Sequence, residues 1–235
     1  MGRSICQHLA RNGNAVAILD SNGELAEEVS KELQGEGARA LACRTDVSDR
    51  AEVDHAMQLV RKELGPVGIL VTSAGVAKFE PFAQITLESW NRVLAINLTG
   101  TFHCVQAALP DMVDAKWGRV VLISSSSAQR GAPRMAHYAS SKGGVMALAK
   151  TLALEFAPLG ITVNNIAPSS IDTPMVNEWQ VAGAVGPTDA MARHIPVGRM
   201  GTGDDIAAAC AFLCSEEASY ITGQTLSVNG GTYVT

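Results

Sequence analysis

Residues 118–168 read GRVVLISSSSAQRGAPRMAHYASSKGGVMALAKTLALEFAPLGITVNNIAP. The segment opens with an apolar run, GRVVLISSSS (118–127), and closes with another, ITVNNIAP (161–168). Between them lies a stretch with helical spacing that is far too long for a hairpin. Runs rich in Val, Ile and Leu without strict alternation belong to strands covered on both faces, so the segment predicts a parallel βαβ unit. The same alternation extends in both directions. AVAILD (15–20), ARALACRTD (38–46), VGILVTSAG (67–75) and QTLSVNGG (224–231) predict four further strands. SNGELAEEVSKELQGEG predicts a helix capped by Ser21 or Asn22 and stopped at Gly35. Repeated right-handed βαβ units give an α/β fold, a doubly wound parallel sheet with helices on both faces, whose ligand crevice lies beyond the carboxyl ends of the strands.

Composition agrees with one such domain spanning residues 1–235. Of 235 residues, 47% are hydrophobic and 17% charged, which excludes disordered, collagen-like and coiled-coil chains. A formal charge of -5 with no dense basic run argues against nucleic acid as a partner. No apolar stretch has the ~20 residues of a membrane span, and His8 and Arg11 interrupt the opening residues where a signal peptide needs an apolar core. A cytoplasmic protein without membrane partners is expected. The five cysteines, Cys6, Cys43, Cys104, Cys210 and Cys214, form no CxxC pair and read as reduced, buried thiols. His103 and Cys104 point to opposite sides of a helix, so no metal site is expected. Residues 173–200, TPMVNEWQVAGAVGPTDAMARHIPVGRM, fit neither a strand nor an obvious helix and predict a lid-like substrate loop.

The chemistry-bearing residues gather near predicted strand ends. Asp20 closes AVAILD, where a carboxylate can accept hydrogen bonds from both hydroxyls of an adenosine ribose and repel a 2′-phosphate, favouring NAD over NADP. The alternative is a helix-capping role. Tyr138 and Lys142, in HYASSKGG, stand about 40° apart on one helix face, close enough for the ammonium to stabilise phenolate. Upstream of the tyrosine, VVLIS ends in Ser125, whose hydroxyl could hold a substrate oxygen; Ser124, Ser126 and Ser127 compete for that role. No GxSxG elbow surrounds these serines, which disfavours a hydrolase nucleophile.

With these residues in place, the chain resembles the short-chain dehydrogenase/reductase family over almost its whole length. The resemblance rests on Asp20, Asp46-Val47, Ala74-Gly75, Asn97 in AINLTG, Ser125, Tyr138, Lys142, Pro168 with Ile171 and Thr173, and ITGQTLSVNGG, all in family order. It implies a Rossmann-like fold and hydride transfer between a nicotinamide and a secondary alcohol or ketone. Tyr138 would donate or accept the proton and Ser125 would orient the carbonyl. Lys142 would lower the phenol pKa and bond the nicotinamide ribose, and Asn97 would help hold a water linking Lys142 to solvent. By the same resemblance Asp46 and Val47 contact adenine, Ser73, Ala74 and Gly75 pass beneath the cofactor, and Pro168, Ile171 and Thr173 lie at its nicotinamide end.

The sequence departs from the family most at its beginning. The family opens with a strand and a TGxxxGxG turn, of which only Gly2 matches. That strand is central to the sheet, so a working protein longer by about 15 to 25 residues is expected. Thr72-Ser73 replaces the family's paired asparagines and Ser169 its glycine after proline, changes that tune the site.

The segment between Ser125 and Tyr138 and the lid should line the substrate pocket. Arg130, Arg134 and His137 suit an anionic or acyl-thioester substrate, whereas Met135, Met175 and Trp179 suit an alicyclic or aromatic alcohol. An NAD-dependent alcohol dehydrogenase is the leading expectation, and an NADPH-dependent 3-oxoacyl-thioester reductase is the alternative. A nicotinamide-independent relative such as a halohydrin dehalogenase is a distant third, disfavoured by Lys142 and Asp20. The helix carrying Lys142 continues as GGVMALAKTLALEFAPLG, apolar around most of its circumference, which predicts a homo-oligomer, by family habit a tetramer.

Overall fold

The computed structural model describes residues 1–234. Its six strands are β1 (Val16–Asp20), β2 (Ala40–Arg44), β3 (Ile69–Thr72), β4 (Gly118–Ile123), β5 (Ile161–Pro168) and β6 (Thr225–Val228), and every pairing among them is parallel. The expected α/β architecture is therefore present. Helices α1 (Gly2–Arg11), α2 (Gly23–Gly35), α3 (Arg50–Glu63), α4 (Leu87–Leu94), α5 (Gly100–Ala115), α6 (Ser126–Arg130), α7 (Ala136–Phe156), α8 (Pro174–Val181), α9 (Thr188–Ala192) and α10 (Gly203–Leu213) fill the connections.

Side-chain alternation along β4 and β5 divides the core between two faces. Val120, Leu122, Ile161 and Val163 point to one side, where Val105, Ala108 and Met112 of α5 and Val145, Ala149 and Ala153 of α7 cover them. Val121, Ile123 and Ile166 point to the other, against Ile5 and Leu9 of α1 and Ile206, Ala207 and Cys210 of α10. This two-sided burial explains why neither strand alternates in sequence.

The strands form two hydrogen-bonded groups rather than one sheet: β1 with β2, and β3-β4-β5-β6. The first element is α1. Ile18 of β1 and Ile69 and Val71 of β3 pack against the same apolar cluster, but all three stay partly exposed.

The expected cap and stop of the second helix are present, and the expected loop at 173–200 is corrected. Helix α2 is capped by Asn22, which accepts from the Leu25 N–H, and Gly35 is its last residue; the chain turns at Gly37, whose φ of 90° is the left-handed conformation that glycine tolerates. Residues 173–200 are not a plain loop. Thr173 caps α8 and Pro174 occupies its first turn, where a missing N–H costs nothing, and α9 follows. Val176, Ile195 and Met200 form a small core of their own beneath these helices.

All five cysteines are free thiols, and among the described residues no cluster of His, Cys, Asp and Glu could hold a metal. Among the same residues no helix is long and apolar enough to cross a membrane.

Candidate active site

The carboxyl end of β4 delivers the serines. Ser125 caps the short helix α6: its Oγ accepts from the Ser127 N–H at 3.1 Å and donates to the Ser127 hydroxyl at 3.1 Å. Ser124 is committed elsewhere, donating to Asn165 and to the Ile166 carbonyl within the sheet, and Ser126 is buried. Ser125 is the serine set against Tyr138, and its hydroxyl favours the phenolate form. Burial of the phenol outweighs that influence and pushes the Tyr138 pKa above its ordinary value.

Lys142 is enclosed one helical turn further along α7. Its Nζ donates to the Ile123 carbonyl at 2.9 Å, and burial lowers its pKa to about 8. Desolvation is the largest influence on the tyrosine, and the lysine ammonium bonds a strand-end carbonyl. Gly75 explains how the backbone reaches this point. A Cβ there would lie 3.3 Å from Asn97 Oδ1 and 3.4 Å from Lys142 Nζ, so a larger residue would crowd both.

Asn97 lies in a π-helical segment, Ala95–Thr99, between α4 and α5. Such segments recur at functional sites. Its Oδ1 accepts from the Val76 N–H at 2.8 Å, while Nδ2 donates to the Val76 carbonyl at 2.9 Å and to Ser141 Oγ at 3.0 Å. Its own carbonyl accepts from Thr101 Oγ1 at 2.8 Å. The Asn97 amide staples the segment after Gly75 to α7. Ser141 completes the staple by donating to the Tyr138 carbonyl at 2.7 Å.

The residues expected at the cofactor lie around this centre. Asp20 is exposed at the end of β1, and its Oδ1 accepts from the Asn22 N–H at 2.9 Å, so it also orders the turn into α2. Asp46 follows β2 and accepts from the hydroxyl and the N–H of Ser48. These bonds, with Arg92 at 3.6 Å, hold its carboxyl below the usual range. Val47 is buried, and its carbonyl bonds His103 Nδ1 at 3.0 Å. Gly2 opens α1, and a Cβ on it would approach Ser73 Oγ at 3.7 Å, which puts the start of α1 beside the Ser73-Ala74-Gly75 turn. Pro168 ends β5, Ile171 is buried and bridges to Gly201, and Thr173 caps α8. The groups at the strand ends fit a nicotinamide dinucleotide: an exposed carboxylate after β1 for a ribose, a side-chain-free approach at Gly75, and a buried ammonium next to it.

Of the residues expected to line the substrate pocket, Arg130 and Arg134 are exposed, whereas His137 and Met135 are buried. His137 therefore does not present its ring to solvent as an anion receptor. Trp179 of α8 meets Phe79 edge to face, with ring centroids 5.0 Å apart. Glu80, Ser141 and the Val76 backbone escaped the sequence reading, because their partners lie far away along the chain.

Known proteins resemble the chain over nearly its whole length. The family described as Enoyl-(Acyl carrier protein) reductase matches residues 1–233. A 3-oxoacyl-[acyl-carrier-protein] reductase FabG of Staphylococcus epidermidis is 37% identical over 235 residues, covering 100% of this chain and 95% of the relative. The FabG of Aquifex aeolicus is 35% identical over 237 residues, covering 99% and 93%. Nodulation protein G of Azospirillum brasilense is 36% identical over 232 residues, covering 98% and 93%. The chain belongs to the short-chain dehydrogenase/reductase family, a family of nicotinamide-dependent oxidoreductases.

Proposed function

We propose that this protein interconverts a ketone and a secondary alcohol, and that its substrate is a 3-oxoacyl thioester reduced at the 3-position. The observation that carries the reading is the convergence of Ser125, Tyr138 and Lys142 at the carboxyl end of β4. The thioester assignment draws on the relatives named as 3-oxoacyl-[acyl-carrier-protein] reductases.

A bound nicotinamide supplies or accepts the hydride. Ser125 orients the substrate oxygen and Tyr138 moves the proton to or from it. Burial raises the phenol pKa, and the Ser125 hydroxyl works against that rise. Lys142, at a pKa of about 8, is mostly charged at neutral pH and would hold a ribose hydroxyl. Asp20, Asp46, Val47, Gly75, Ile171 and Thr173 would line the dinucleotide.

Asp20 favours NAD(H) over NADP(H), because an exposed carboxylate repels a 2′-phosphate. That residue also supports a second reading, the NAD-dependent oxidation of a simple secondary alcohol. The strongly exposed Leu154 on α7 supports self-association through that helix. Light scattering at micromolar concentration checks this: a mass of a single chain refutes it.

The test follows absorbance of the reduced cofactor with acetoacetyl-CoA and a panel of secondary alcohols, each with both dinucleotides. Turnover of acetoacetyl-CoA that falls about 10³-fold in Tyr138→Phe, with dinucleotide affinity retained, supports the reading. A Tyr138→Phe protein that still turns over at the parental rate refutes it.

A further inference from the structure

We propose that His137 is a positioning residue for Tyr138, fixed in one tautomer by Glu80, and that this pair ties the tyrosine to the lid. The inference rests on Tyr138 being the proton-transfer group.

Helix α7 begins at Ala136, and Met135 before it supplies no side-chain cap. The first N–H groups of a helix lack partners within it. One of them belongs to Tyr138, and it donates to His137 Nδ1 at 2.9 Å. A neutral imidazole accepts at one nitrogen and donates at the other, so Nε2 carries the proton and donates to Glu80 Oε2 at 3.2 Å. The ring is 0% exposed, so solvent replaces neither bond if it is lost.

Glu80 is built to stay where it is. Its carboxylate also accepts from Ser89 Oγ and from Lys78 Nζ, 2.9 Å away, and these donors with His137 hold its pKa down to about 2. Its N–H donates to the Arg134 carbonyl at 2.8 Å, bracing a residue whose φ of 64° is left-handed. The loop is thus fastened to the turn before α7 by backbone and to α7 itself by side chain. Its neighbour Phe79 carries the edge-to-face contact with Trp179 of the lid. Phe79 thus links Trp179 to the segment that Glu80 fastens to α7. Neither His137 nor Glu80 needs to touch substrate or cofactor.

Four variants test this: Tyr138→Phe, His137→Ala, Glu80→Ala and Glu80→Gln. They are assayed with acetoacetyl-CoA and both reduced dinucleotides, and by phenolate absorbance during alkaline titration, with Tyr138→Phe subtracted to isolate the one tyrosine. We expect kcat to fall 10- to 100-fold in His137→Ala and Glu80→Ala, with KM and dinucleotide Kd within twofold of the parent. Glu80→Gln, whose amide oxygen still accepts from Nε2–H, should stay within threefold. In His137→Ala the loosened phenol should titrate closer to free tyrosine, a signature independent of any substrate. Parental kcat and titration in Glu80→Ala overturn the proposal, even if His137→Ala does not fold. A loss confined to KM, or a Glu80→Gln protein as slow as Glu80→Ala, also overturns it. If Tyr138→Phe itself remains active, the functional reading fails instead; if it is inactive while Glu80→Ala is parental, only the positioning role fails.

Discussion

Strands β4 and β1 are built from the same kinds of residue and live in different surroundings. Every residue of β4 is buried, as is every residue of β5, whereas in β1 only Val16 is buried and Ala17, Ile18 and Leu19 are partly exposed. The difference comes from neighbours: β4 and β5 have a strand on each side and helices over both faces, while among the described residues β1 pairs with β2 alone. The proposed chemistry is divided along the same line. Ser125 follows β4 and faces a helix packed on it, so the proton-transfer groups stand on the most constrained part of the molecule. Asp20 closes β1, so selection among dinucleotides rests on the less covered pair.

The sharpest way to break this contrast is to make one substitution on both sides. Ile166→Ala in β5 should cost about 3–5 kcal/mol in denaturant unfolding, because the cavity forms where nothing can collapse into it; Ile18→Ala should cost about 1 kcal/mol. Equal costs would mean that β1 is as enclosed as β5. A smaller effect concerns Lys142, whose folded pKa of about 8 lies below the ordinary value of 10.5. The unfolded chain binds more protons between those values, so this residue opposes folding below pH 8 and the opposition fades as pH rises toward 10.5. Lys142→Met should therefore abolish turnover yet stabilise the fold at pH 7 by about 1–3 kcal/mol, with the gain shrinking above pH 8; thermal melts across pH read both. On the other side of the contrast, Asp20→Ala should relax the NAD to NADP ratio of kcat/KM by about tenfold or more, and an unchanged ratio removes the cofactor assignment. The smallest effect is expected from Asn22→Ala, which removes the α2 cap and should cost about 0.5–1 kcal/mol.

Legibility followed the range of the interactions. ITVNNIAP matches β5 at both ends, because a fully covered strand is apolar throughout and punctuated by Gly160 and Pro168. The run read as 118–127 ends as a strand at Ile123, since Ser125 stops being strand and caps α6. In the stretch read as a loop, the Thr-Pro pair at 173–174 was a helix-start signal outweighed by the surrounding glycines. Asn97 was legible as a residue of interest, but the role of its amide was not. Its partners Val76 and Ser141 lie 21 and 44 residues away, and no local pattern announces them.

Helix and strand periodicity, the four-residue spacing of Tyr138 and Lys142 and the placing of Asp20 and Ser125 at strand ends are properties of the chain read in order, and they determine the fold class and the family. Which way a buried ring points, which of four serines meets the phenol and whether burial or a nearby charge governs its acidity depend on groups that only folding brings within 3 Å or so of one another. Hydrogen bonds and desolvation act at that range. His137, read as a pocket residue and found clasped between the Tyr138 N–H and Glu80, shows how far the tertiary structure had to decide.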